Sequence, residues 1–160
     1  MQKVTILCTG KLKEKFYLDA VAEYVKRLNR FCKLEIIELP EERLPEDPSP
    51  AQIEAALSKE ADAVRAKLPN GCLVIAMCVE GRERSSEELA RYLADSAAQG
   101  ASHIVFLIGS SFGMHESLKR QAALRLSMSP MTFPHHLARV MVLEQIYRAF
   151  KINEGSSYHK

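Results

Sequence analysis

Apolar and polar positions along the chain follow two different periods, and the switches between them mark out strands and helices in turn. Lys3 to Thr9 (KVTILCT) is β-branched and apolar enough for a buried strand, and Gly10-Lys11 opens a basic turn behind it. From Glu14 to Phe31 the apolar set Leu18, Val21, Val25 and Leu28 recurs every third or fourth residue while Lys26, Arg27 and Arg30 face water, which predicts an amphipathic helix. Leu34 to Leu39 (LEIIEL) is a short strand closed by Pro40. The EERLPEDPSP run that follows carries prolines at 45, 48 and 50, each with a fixed φ and no N–H, and predicts a mobile surface loop. Helical spacing returns from Ala51 to Leu68 through Ile53, Leu57, Ala61 and Val64, and Pro69-Asn70-Gly71 ends it.

Cys72 to Val79 (CLVIAMCV) is apolar without a break, as a strand covered on both faces must be. Ser85 and Glu88 have the spacing of a capping box ahead of a helix that ends near Gly100, and His103 to Ile108 (HIVFLI) is the next buried strand. Gly109-Ser110-Ser111-Phe112-Gly113 turns into a short helix from about Glu116, and Leu124 to Met128 is a weaker strand. Leu137 to Lys151 has apolar residues on every side of a helical projection, which predicts a helix covered on two sides, one cover being a second subunit. Thr132 and Pro134 are its expected start, by side-chain capping and by a proline whose missing N–H costs nothing there; Gly155 is its expected break. Strand and helix alternate five times, which predicts an open, mostly parallel α/β sheet with helices on both faces. Ligands of such sheets bind outside the carboxyl ends of the strands, here Met77, Gly109 and Met128.

Composition narrows the class. A chain of 160 residues without a linker-like run predicts one domain, residues 1–160. No apolar run approaches the roughly 20 residues that span a bilayer, and no secretory signal opens the chain, so a cytoplasmic protein with no membrane partner is expected. The four cysteines form no C-x-x-C pair and imply neither zinc nor disulfides. A net charge of +2 argues against a protein that coats nucleic acid through its overall field, DNA included; only a local patch could bind RNA.

Chemistry-bearing residues crowd into the last fifth, Leu126 to Lys160, where the active site is expected. Glu144 and Arg148 stand four apart, an ordinary surface ion pair by spacing. Glu144 also continues the line from Leu137 through Met141, which places a carboxylate among apolar neighbours, where it needs a partner. Arg139, Arg148, Lys151, Lys160 and three histidines follow Pro134, either a basic surface for a phosphate-bearing partner or a solvated helix face. The adjacent His135 and His136 point a quarter turn apart with no further ligand at metal spacing. There is no G-x-G-x-x-G after a strand and no P-loop, but Gly109 to Gly113 matches G-x-S-x-G. A serine hydrolase with Ser111, Glu144 and His159 in α/β-hydrolase order is therefore a rival reading. A non-catalytic RNA-binding module is a third.

The runs MTFPHHLARVMVLEQIYRAFKI and YHK, with TGKLKEK after the first strand and FLIGSSFG at the fourth, resemble the RlmH family of bacterial 23S rRNA pseudouridine N3-methyltransferases, of the knotted SPOUT superfamily. The similarity runs nearly end to end, and S-x-M-T-F-P-H and L-E-Q-I-Y-R-A-F-K-I are its most specific parts. The resemblance implies a trefoil-knotted α/β fold, an obligate homodimer, and S-adenosyl-L-methionine bound bent among the knot loops and released as S-adenosyl-L-homocysteine. It puts cofactor contacts on Met77, Gly109, Met128, Ser129, Pro130, Met131, Thr132 and Phe133, with Ser110 standing where the family has a second glycine and Pro130 where it often has lysine. His135, Glu144, Arg148, Tyr158 and His159 are the implied catalytic group. Arg148 and His159 would position the RNA and Glu144 would anchor Arg148. The implied substrate is 23S rRNA within the ribosome.

Overall fold

A computed structural model of the chain describes residues 1–159; Lys160, counted above among the basic residues, lies outside them. The chain alternates β1 (Lys3–Thr9), α1 (Lys15–Leu28), β2 (Lys33–Leu39), α2 (Pro50–Lys67), β3 (Leu73–Glu83), α3 (Ser86–Ala98), β4 (His103–Ile108), α4 (Glu116–Gln121), β5 (Leu124–Ser127) and α5 (His135–Asn153). The five strands form one sheet in the order β2-β1-β4-β3-β5, and every pair is parallel. Among the described residues no helix is long and apolar enough to cross a membrane.

Strand side chains alternate between faces, and the two faces have separate cores. Val4, Ile6 and Cys8 of β1, Ile75 of β3 and Ile104, Phe106 and Ile108 of β4 point to α1, α3 and α5, meeting Leu28, Leu89, Leu93, Leu143 and Ile146. Leu7, Val74, Ala76, Val105 and Leu107 point the other way, to Ala61 and Val64 of α2 and Leu118 of α4. A central strand buried on both faces cannot alternate in polarity, which is why LVIA of β3 and IVFLI of β4 are apolar throughout.

The differences from the sequence reading have local causes. α1 stops three residues before Phe31, and α2 starts at Pro50 because Ser49 and Gln52 complete a capping box: Ser49 Oγ accepts from the Gln52 N–H at 3.2 Å, and Gln52 Oε1 from the Ser49 N–H at 2.8 Å. The proline-rich loop is tied down where it begins, since the Glu42 N–H donates to Glu60 and the Glu41 carboxylate accepts from Ser111. β3 does not end at Met77 or Val79. It bulges and rejoins β5, which pairs with Met77 before the shift and with Arg82 and Glu83 after it. Gly81 makes that return feasible, because a Cβ there would sit 2.8 Å from the Arg125 carbonyl carbon. Thr132 does not cap α5; Pro134 occupies the N-cap position with no side-chain hydrogen bond. Gly155 does end the helix, at φ 77°.

Candidate active site

A cavity of about 640 Å³ opens at the carboxyl ends of β3, β4 and β5. Its walls are the β3 bulge from Met77 to Glu80, the turn from Ile108 to Met114, and the loop from Met128 to His135. Seven of the eight residues singled out for a cofactor line it (Met77, Gly109, Met128, Ser129, Met131, Thr132, Phe133), and Pro130 does not. Met77 contributes from the bulge and not, as expected, from a strand end. Two hydroxyls shape the loop: Ser129 N–H donates to Ser127 Oγ at 3.2 Å, and Met131 N–H to Ser129 Oγ at 3.0 Å. Such local bonds satisfy backbone donors where no ladder can.

The opposite wall is a closed turn. Ser110 and Gly113 exchange both backbone hydrogen bonds, at 3.0 and 2.9 Å. A Cβ on Gly109 would lie 2.4 Å from the Gly113 oxygen, so glycine is required by backbone approach. Ser110 Oγ–H donates to Glu60 Oε1 at 2.7 Å, and Ser111 donates to Glu41 Oε1 from its N–H at 3.0 Å and its Oγ–H at 2.6 Å. Glu60 is 7% exposed, and burial pushes its carboxyl above the ordinary range despite the hydrogen bonds from Glu42 and Ser110. Neither carboxylate was singled out from the sequence. Glu60 had a visible signal, lying on the α2 face that buries Ala56, Ala61 and Val64.

This geometry removes the hydrolase reading. The Ser111 hydroxyl is held by a carboxylate, with no histidine bonded to it, and Glu144 and His159 belong to another cluster. A nucleophile elbow strains its serine; among the described residues every positive φ belongs to glycine.

That other cluster joins α5 to the tail. Arg148 donates to Glu144 Oε1 from Nε at 2.9 Å and Nη2 at 2.7 Å, and Tyr158 Oη–H donates to Glu144 Oε2 at 3.1 Å. The guanidinium also covers the Tyr158 ring, 4.9 Å from its centroid. Arg148 Nη1 lies 3.1 Å from His159 Nδ1. Arginine has only donors, so Nδ1 offers its lone pair and the ring hydrogen sits on Nε2, 2.6 Å from Glu87 Oε1. Burial, then Glu144, raises the Tyr158 phenol, and the same two causes push Tyr24 up to about 12.

Four of the five catalytic candidates are therefore in one network, and His135 is not. It stands nine residues before Glu144, roughly 13 Å along the helix axis at 1.5 Å per residue. It lines the cavity instead, its Nε2 is buried with no hydrogen-bond partner among the described residues, and burial holds its pKa below the ordinary histidine value.

The cations after Pro134, read as either a basic surface or a solvated helix face, are largely engaged by carboxylates among the described residues. Arg139 is 2% exposed, donating to Glu38 Oε2 at 2.6 Å and to the Gly10 carbonyl at 3.1 Å. Arg148 is bonded to Glu144, and Lys151 to Glu154 at 2.7 Å. Arg139 could have been found from its place on the Val142, Leu143, Ile146, Ala149 face.

A family model described as predicted SPOUT methyltransferase matches residues 2–159. The chain belongs to the SPOUT methyltransferase family. Relatives named ribosomal RNA large subunit methyltransferase H share this length of sequence. One from Streptococcus uberis is 47% identical over 158 residues, covering 99% of both chains. Another from Lactobacillus delbrueckii subsp. bulgaricus is 44% identical over 157 residues, 98% of this chain and 99% of its own. A third from Bifidobacterium adolescentis is 45% identical over 158 residues, again 99% of both. The match takes in the whole all-parallel sheet, and both clusters described above fall within the matched residues.

Proposed function

We propose that this SPOUT methyltransferase methylates N3 of a pseudouridine in large-subunit (23S) ribosomal RNA, with S-adenosylmethionine held in the strand-end cavity. The cavity carries the reading. Its volume suits a molecule of that size, Gly109 lets the turn at its wall close tightly on Gly113, and the buried Nε2 of His135 has no hydrogen-bond partner among the described residues. Relatives of the same length bear the corresponding name, which supports the RNA class. Met77, Met128, Met131 and Phe133 would supply apolar contact, while Gly109, Ser129 and Thr132 would offer polar groups. The cofactor would supply an electrophilic methyl group on a sulfonium, leaving as S-adenosylhomocysteine.

The protein's task is to orient the base and favour its anion. N3 must give its proton to a positioned base or to water before it attacks, and a fixed guanidinium such as Arg148 favours the anion that results. Glu144 and Tyr158 hold that guanidinium in place, and His159 extends the same surface. The knotted threading implied by the resemblance belongs to this reading, as does a cytoplasmic location beside the ribosome.

The reading includes a homodimer with composite sites, the tail of one subunit completing the cavity of the other. It is supported by Val140, Met141 and Tyr147 of α5, apolar side chains that the chain itself leaves only partly covered. Isothermal titration with S-adenosylmethionine tests the cofactor: heat of binding is expected, and its absence at high protein concentration removes the proposal. RNA binding without that heat would leave the non-catalytic module. Mixed dimers of Gly109→Arg and His159→Ala subunits should recover activity through one intact composite site; no recovery despite proven exchange means each chain has its own complete site. Methylation should favour assembled ribosomal particles over an isolated hairpin.

A further inference from the structure

The loop between β1 and α1 forms none of the cavity walls, yet it is held as firmly as they are. Gly10 has φ 123°, its carbonyl accepts from Arg139 at 3.1 Å, and the Leu12 N–H donates to Glu38 Oε2 at 2.9 Å. The Leu12 side chain is buried, so Lys11 and Lys13 on either side of it are turned outward and exposed. Lys15 follows in the first turn of α1, also exposed. Beside it Phe16 is 66% exposed, its ring 4.4 Å from that of Tyr17, which in turn meets His136 edge-on at 6.0 Å. Carboxylates also face this patch: Asp19, 2.6 Å from Lys15 Nζ, Glu14, 3.8 Å from His136 Nδ1, Glu38, which feels the charge of Lys11, and Glu41 beside Gly10. Lys11 and Lys13 have no ion-pair partner among the described residues.

An exposed aromatic ring beside two lysines without an ion-pair partner and a third held only by a surface carboxylate, on a pre-shaped loop, matches one partner chemistry closely. Single-stranded nucleic acid offers flat bases to stack and phosphates to neutralise. The patch also adjoins the cavity, because a Cβ on Gly10 would lie 3.1 Å from Nε2 of His135, which lines it. A second copy of this chain fits less well, since the lysines would face their own like charges across a symmetry axis.

We propose that Lys11, Lys13, Lys15 and Phe16 form a platform for single-stranded ribosomal RNA, phosphates on the lysines and a base on Phe16, which steers the flanking nucleotides toward the cavity. The platform rests on the methyltransferase reading for the identity of its RNA. Filter binding of protein-free large-subunit rRNA across a salt series tests it. In the Lys11→Gln, Lys13→Gln, Lys15→Gln triple variant the slope of log K against log salt should flatten by about 2, at roughly 0.7 to 0.9 per phosphate contact. Phe16→Leu, which keeps apolar bulk without a ring, should weaken binding about fivefold or more, and Phe16→Tyr should not. Titration with S-adenosylmethionine should be unchanged in all of them. Unchanged RNA affinity and slope overturn the platform, and so does a fall in particle mass by light scattering in Phe16→Leu, which would assign the ring to a contact between copies. If the unaltered chain gives no heat with S-adenosylmethionine while RNA binding still depends on these residues, the methyltransferase reading falls and the platform stands.

Discussion

The two ends of α5 carry similar polar groups and treat them in opposite ways. At the first, Arg139 is enclosed by Glu38, the Gly10 carbonyl and the core, and its charge is spent on holding β1, β2 and their loops together. At the second, the Glu144 and Arg148 side chains keep 19% and 25% of their exposure, and the network runs outward through Tyr158 and His159. Arg139 and Arg148 sit nine residues apart on one helix with one acidic partner each. What separates them is access: a guanidinium with no route to water serves the fold, and one at the surface can also serve a ligand.

The largest expected effect is on the enclosed end. Arg139→Leu leaves Glu38 without its cation and should cost about 3 kcal/mol in urea denaturation, the low end for a broken buried pair because Glu38 is partly exposed. Adding Glu38→Gln should recover part of the loss; additive losses would show that the two residues do not interact. At the open end Arg148→Lys keeps the charge but cannot bridge Glu144 and His159 together. Methylation should drop about 100-fold through misplacement, with stability within about 1 kcal/mol of the parent. A stability loss as large as that of Arg139→Leu would erase the contrast.

Smaller effects sharpen the same comparison. Gly109→Ala forces the turn at the cavity apart and should weaken cofactor binding about tenfold, by the ordinary cost of overpacking. Calorimetry should find the affinity of Arg148→Lys for cofactor unaltered. The smallest effect is a pH dependence. Burial lowers the His135 pKa in the folded state, so its contribution to stability is present above the ordinary value of 6.5 and is lost as pH falls through the lowered one. Glu38 behaves alike at lower pH: burial opposes its ionisation, but Arg139 and the Leu12 N–H prevail, and stability is lost below the usual 4.5. Glu60, raised by burial, has the opposite sign, its contribution fading as pH rises through its folded value. Melting temperature should therefore fall from pH 7 to pH 5.5, and His135→Gln should flatten that fall; His103, lowered in the same direction, leaves a residual slope. An unchanged slope would remove His135 as its source.

Element type and order were legible in the chain, because burial on one face or two writes itself into local periodicity: HIVFLI needs helices on both sides wherever it folds. The carboxylate at Glu144 was legible for a related reason, since a charge on an apolar helical line must meet a partner. The partner of Arg139 was not, because Glu38 is 101 residues away and no local pattern records it. Nor was the length of β3, whose end depends on register with β5 across the bulge, or the anchoring of the proline-rich loop by Glu41 and Glu60. Prolines forbid regular structure locally but leave open whether a segment is held from outside. The division follows from the range of the forces. Side-chain alternation, capping and turn chemistry act over a few residues, whereas ion pairing, register and the meeting of three loops around a cavity act between residues that only the folded chain brings together.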